Sequence, residues 1–186
     1  GPGFSSAANT PFRRHKTWVH EGGISTPFIA HWPAGIAEKN GIRSTPAHVI
    51  DVLPTVMELA GMKAKELPGG PLLPGVSLAS VFKADVEKLH EALWVYHEGN
   101  RALRQGDWKI VADNQSEAWS LHDLSTDRAE QHDLAAEKPE KVNELARLWQ
   151  DLADQFRQTA LKDLPASALE APAKGKGKKA RETPKS

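Results

Sequence analysis

Six side chains able to carry or share charge gather in one early stretch: Arg13, Arg14, His15, Lys16, His20 and Glu21, directly ahead of Gly22-Gly23. In an extended chain Lys16, Trp18 and His20 alternate onto one face. Pro11 and the two glycines constrain the backbone around them, which fits a built site better than a loose surface. The run that follows, Thr26 to Trp32 (TPFIAHW), is short, rich in apolar residues and bounded by Gly23 and Pro33. That pattern predicts a strand buried on both faces. A cationic face entering the end of such a strand lies where open α/β sheets place their ligands. A lysine and a histidine there suit an anionic tetrahedral group, sulfate or phosphate, held by charge-assisted hydrogen bonds. The plainer alternative is a solvated loop.

The elements that must position these groups follow from length and pattern. A chain of 186 residues allows one domain, or one domain plus appendages. With 24 basic and 24 acidic side chains it has no global field to recruit nucleic acid. The absence of cysteine excludes disulfides, thiolate metal sites and a cysteine nucleophile among these residues. No stretch reaches the length of a membrane span, and GPGFSSAANT is not a signal peptide. That opening reads as a Gly/Pro/Ser-rich loop, and a chain that starts inside a loop is expected to be cut from something longer. AHVIDVLPTVMELAGM predicts a helix with Asp51 as N-cap, Pro54 in the first turn and Gly61 as its stop. Its apolar face would be Val52, Leu53, Val56, Leu59 and Ala60. Leu67 to Gly75 must be a loop, and VSLASVF reads as a short helix opened by Ser77.

The period then changes. ALWVYHE, RALRQ, DWKIVAD and AWSLHDL are short β-branched and aromatic runs separated by Gly99-Asn100, Gly106-Asp107 and Asn114-Gln115. They predict an antiparallel meander of about four strands. Beyond it Val142, Leu145, Leu148, Trp149, Leu152 and Phe156 form one helical stripe, the natural cover for a sheet with one apolar face. APAKGKGKKARETPKS is low in apolar residues and is expected to be disordered.

The order TPFRRHKTWVHEGGISTPFIAHWP, HVIDVLPTVMELAG, PGVSL and HEGNRALRQGDWKIV resembles the C-terminal part of the type I sulfatases, the arylsulfatase family, from about Asn9 to about Phe156. The resemblance implies an alkaline-phosphatase-like α/β fold whose central sheet is followed by a small four-stranded antiparallel sheet with a C-terminal helix. Residues 1–85 would then be the C-terminal part of the catalytic α/β domain, 86–160 the sheet-plus-helix subdomain and 161–186 a disordered basic tail. It further implies a catalytic role for Lys16, at the lysine that contacts the substrate sulfate, and makes His20 a candidate substrate contact. The hairpin around Gly99 would reach the rim of the active site, where His97, Asn100 and Arg101 could read the leaving group.

The family's nucleophile, a formylglycine made from C/S-x-P-x-R, has no match here: Asn9-Thr10-Pro11-Phe12-Arg13 begins with asparagine. Its calcium ligands would also lie upstream, since Asp113-Asn114 falls in a turn of the meander. Calcium and formylglycine are therefore expected outside these residues, and no metal ligand is expected within them. The implied partner is a sulfate ester, aryl or carbohydrate, with neither nucleic acid nor a membrane. The implied location, periplasmic or secreted, comes from the family alone. A phosphoryl or phosphonate hydrolase of the same superfamily and a non-catalytic module binding sulfated glycans stay open at this point. A nucleic-acid role for the lysine-rich tail is disfavoured, because it lacks aromatics to stack on bases.

Overall fold

Two-residue turns set the first two hairpins of the sheet. In a computed structural model, which describes residues 1–62, 73–114, 116 and 118–163, β1 (Leu93–His97), β2 (Asn100–Gln105), β3 (Trp108–Ala112) and β4 (Ser120–Asp123) pair in that order, all antiparallel. The β1–β2 turn is Glu98-Gly99, with φ of 50° and 86°, rather than the expected Gly99-Asn100. Asn100 is instead the first residue of β2, paired with His97. Positive φ at both central residues matches the twist of a tight hairpin. The meander expected from the spacing is present, with four strands.

Register divides the side chains between two faces. Trp94, Leu103, Ile110 and Leu121 fall in one cross-strand row, and Val95, Ala102, Val111 and Ser120 in the other. The first row meets helix α4 (Pro139–Asp163), whose Leu145 is fully buried. Trp149 stacks on Trp94 with centroids 5.4 Å apart. Each indole also donates to a backbone carbonyl across the contact, Trp94 Nε1 to Trp149 O (3.1 Å) and Trp149 Nε1 to Val95 O (3.3 Å). The expected stripe thus covers the sheet at Leu145 and Trp149, whereas Phe156 is 43% exposed. The second face has a cover that periodicity did not predict. Val19 packs on Ala102, Val111 and Val95, so the segment beside the cation cluster lies on the sheet.

The chain forms two compact units, Gly1–Trp149 and one beginning at Gln150. The described part of the second continues α4 to Asp163, with Gln150 Nε2 donating to Asp154 Oδ1 at 3.1 Å. No helix among the described residues is long and apolar enough to cross a membrane.

Elsewhere the structure departs from pattern. The opening GPGFSSAANT, read as a loop, makes a short helix α1 (Pro2–Ala8), with the proline tolerated at its start. Thr26–Trp32 forms no strand, and Phe28 and Ile29 are 60% and 88% exposed. A strand apolar on both faces needs neighbours on both sides, and none of the described strands pairs with it. Helix α3 (Val52–Leu59) is present and Gly61 follows it at φ 75°. Its buried side is Pro54, Thr55 and Met57, however, while Val52, Leu53, Val56 and Leu59 stay exposed. Polar anchoring decides that orientation. Thr55 Oγ1 donates to Asp51 O and accepts from Leu78 N (2.8 Å). Asp51 is not a simple N-cap either. Its buried carboxylate accepts from His48 N and Val76 N and faces His90 Nε2 at 2.8 Å. VSLASVF makes turns rather than a helix, although Ser77 Oγ does accept from Ala79 N. Most of the Leu67–Gly75 loop, and the tail from residue 164, lie outside the described residues.

Candidate functional site

The cation cluster is a folded loop, not an extended strand end. Arg14 and Thr17 have φ of 70° and 96°. A β-branched residue at such an angle is strained and persists only where its surroundings hold it. Consequently Lys16, Trp18 and His20 do not share one exposure: Lys16 is exposed, Trp18 half-buried and His20 buried. Arg14 lies over the Trp18 ring at 4.3 Å, and Trp18 meets His20 edge-on. Lys16 makes no ion pair or hydrogen bond with another described residue.

Three contacts seat this loop. Asn100 Nδ2 donates to Thr17 O (3.1 Å), and Asn100 Oδ1 accepts from Asn114 N (3.2 Å). Asn100 is itself only 1% exposed. Its polar atoms are used within the chain, where they form a strut that joins the hairpin to the residue after Lys16. The second contact is backbone on backbone. A Cβ on Gly22 would lie 2.4 Å from both Arg13 O and Arg14 O, and one on Gly23 would lie 2.0 Å from Trp18 O. Only glycine lets the single helical turn α2 (Glu21–Ile24) press so closely on residues 13–18.

The third is a buried charge cluster. Lys109, 1% exposed, sits between Glu21 Oε1 and Glu130 Oε1, each 2.9 Å from its Nζ. Glu130 Oε2 accepts from Glu21 N at 2.7 Å. Arg128 reaches Glu21 Oε2 at 3.1 Å, and Arg13 Nη1 donates to Glu130 O at 3.2 Å. Burial alone would raise the Glu21 carboxyl, but the charge and hydrogen bond of Lys109, with Arg128, reverse this and lower its pKa. Burial lowers the His20 imidazole to about 3, helped by Arg13, Lys109 and Arg14. His20 is therefore neutral at physiological pH and can offer a ring nitrogen to a ligand, but no charge. Its Nδ1 is buried without a hydrogen-bond partner among the described residues.

Of the residues singled out from sequence, Lys16, His20, His97 and Asn100 come to the same side of the sheet. His97 is exposed and alternates with Val95, which packs on Val19. Arg101 alternates onto the opposite face, its guanidinium over Trp119 (4.9 Å) and Trp149 (5.8 Å). Lys109, Arg128 and Glu130 were missed. The one available signal was Lys109 itself, a charge at an inward strand position next to Val111, which demands a buried partner. Among the described residues no three metal-ligating side chains come together.

Residues 13–159 match the family model described as N-sulphoglucosamine sulphohydrolase, C-terminal. Curated relatives include an uncharacterized sulfatase of Schizosaccharomyces pombe, 30% identical over 80% of this chain and 28% of its own length. Arylsulfatase K of Danio rerio is 30% identical over 75% of this chain and 28% of its own. The arylsulfatase of Klebsiella aerogenes is 39% identical over 45% and 19%. The chain therefore spans under a third of the length of these relatives. A solved structure from work on the metabolism of multiple glycosaminoglycans by Bacteroides thetaiotaomicron superposes with a TM-score of 0.60 at 22% identity, covering 76% of this chain and 32% of that one. It supports the fold.

Proposed function

The chain belongs to the sulfatase family, matching its C-terminal portion, and on that premise we propose that Lys16 binds the sulfate group of a sulfate ester during S–O cleavage. The observation that carries this reading is an exposed ammonium on an otherwise immobilised loop: strained at Thr17, propped by Asn100 and pressed against two glycines. A loop held in that way around an exposed ammonium fits charge stabilisation at a fixed point, since preorganised charge costs no reorganisation as the ester oxygens become more negative. His20, neutral, is proposed as a further substrate contact, and His97 as the residue that meets the leaving group. Asn100 acts from beneath, and Arg101 is not needed for this reading.

The formylglycine nucleophile and calcium are proposed to come from the rest of a longer sulfatase, since the chain spans under a third of the length of its relatives. Residues 1–85 are proposed to complete that enzyme's α/β domain. The exposed Phe28, Ile29 and Val56 are the surface that would pack there. Export to the periplasm or beyond is proposed from the family. The test is Lys16→Ala in the full-length enzyme assayed on an aryl sulfate. Loss of a preorganised charge should cost about 2.7–4 kcal/mol, a fall of roughly 10²–10³ in kcat. Lys16→Arg should recover only part, because a planar fork does not replace a compact ammonium. A correctly folded Lys16→Ala enzyme with near-parental kcat/KM would refute the assignment.

A further inference from the structure

Resting on that reading of Lys16, we propose that Lys109 is its positioning residue: the ammonium sealed between Glu21 and Glu130 fixes the turn on which the Lys16 loop is seated. Stability does not explain such a cluster. Taking a lysine and two carboxylates out of water costs several kcal/mol per ion, and apolar replacements of similar volume often hold a fold equally well. What the ions add is direction. Lys109 projects from β3, the strand whose Val111 packs on Val19. Its two 2.9 Å contacts hold Glu21 from the turn and Glu130 from the loop after β4. Glu130, at φ 54°, accepts the Glu21 N–H with its other oxygen, so the turn is gripped by side chain and backbone together. The next two residues are glycines: Gly22 lies against Arg13 O and Arg14 O, and Gly23 against His15 O and Trp18 O, the carbonyls that bracket Lys16 and Thr17. Rotation of Glu21 would pass directly to those carbonyls, and a displacement near 1 Å at a group aimed at a reacting centre costs about 10²-fold in rate.

The test uses the full-length enzyme carrying Lys109→Met/Glu21→Gln/Glu130→Gln, which removes all three charges at similar volume, with Glu130→Gln alone as the milder change. Three readouts are taken: melting temperature, kcat and KM on an aryl sulfate, and hydrogen exchange of residues 13–25 against 93–112. The expected result for the triple variant is near-parental melting, at least tenfold faster exchange in 13–25 alone, and kcat lowered about 10²-fold with KM changed less. Glu130→Gln should fall between it and the parent. Parental exchange and kcat in a folded triple variant would overturn the proposal. So would failure of both variants to fold, which would make the cluster a requirement of the fold. The exchange readout stands apart from catalysis. A parent without sulfatase activity would remove the functional reading, while the grip of Lys109 on the loop would still be decided by exchange.

Discussion

Gly23→Ala tests the seat of the Lys16 loop with one carbon atom. The new Cβ would lie 2.0 Å from Trp18 O and 2.8 Å from His15 O, both backbone atoms that cannot swing aside as a side-chain tip would. Gly23 has no positive φ, so alanine meets no torsional penalty there. Its smaller entropy in the unfolded chain would by itself stabilise by about 0.4–1 kcal/mol. Against this stands overpacking of about 1–3 kcal/mol, taken at its upper end because the carbonyl must retreat by more than 1 Å. The net loss is about 2 kcal/mol, or roughly 4–8 °C in Tm for a chain of this size. The retreat acts on both sides of Lys16, so kcat/KM of the full-length enzyme should fall about 10²-fold. Gly3→Ala is the control, since nothing lies within 4 Å of its Cβ. It should be neutral or gain a fraction of a kcal/mol. Differential scanning calorimetry and steady-state kinetics on both variants decide the matter. A Gly23→Ala protein melting within 1 °C of the parent with unchanged kcat/KM would show that the loop yields freely, and the rigid-loop argument would fall with it.

Other consequences are as direct. Between about pH 3 and 6.5 the unfolded chain protonates His20 while the folded chain does not, so stability falls on acidification from neutral pH. At pH 5 the loss is about 2 kcal/mol before, and about 1 kcal/mol after, allowance for solvent screening. Urea unfolding at pH 7 and 5 should show it, and His20→Gln should flatten that slope; an unchanged slope would place the titration elsewhere. The depressed Glu21 carboxyl acts in the same direction, its stabilisation being lost as pH falls through its folded value. Asn100→Ala leaves Thr17 O and Asn114 N without their buried partner and should cost about 1–3 kcal/mol in urea unfolding. A cost below 0.5 kcal/mol, on the order of an ordinary surface change, would mean that water replaces the strut. Leu145→Ala, at a fully buried site on α4, should cost about 2–5 kcal/mol, against much less for Phe156→Ala at 43% exposure; equal costs would contradict the packing of the helix on the sheet.

Legibility followed the range of the interactions. The meander and its helix could be read because their cues are local: turn residues every few positions, alternation in each strand, and a stripe in which Leu145 and Trp149 recur at helical spacing. Even there the turn slid by one residue, because Glu98 adopts positive φ where sequence favoured Asn100. The first half could not be read in the same way. Thr26–Trp32 has the composition of a central strand, but a strand exists only through neighbours, and composition does not supply them. In α3 the apolar count pointed to the wrong face, because one threonine hydroxyl bridging Asp51 O and Leu78 N fixed the orientation.

The site shows the same division. The cations before Gly22-Gly23 were visible. The alternation of Lys16, Trp18 and His20 was not realised, since turns at Arg14 and Thr17 replace the extended chain. Sequence also gave His20 a charge that burial removes. What holds Lys16 in place depends on a lysine 88 positions away from Glu21. Pattern can report that Lys109 sits inward on its strand, and physics then requires a counter-charge. Only the folded chain shows that the counter-charges are Glu21 and Glu130, and that Gly22 and Gly23, which follow Glu21, press on the carbonyls of residues 13–18.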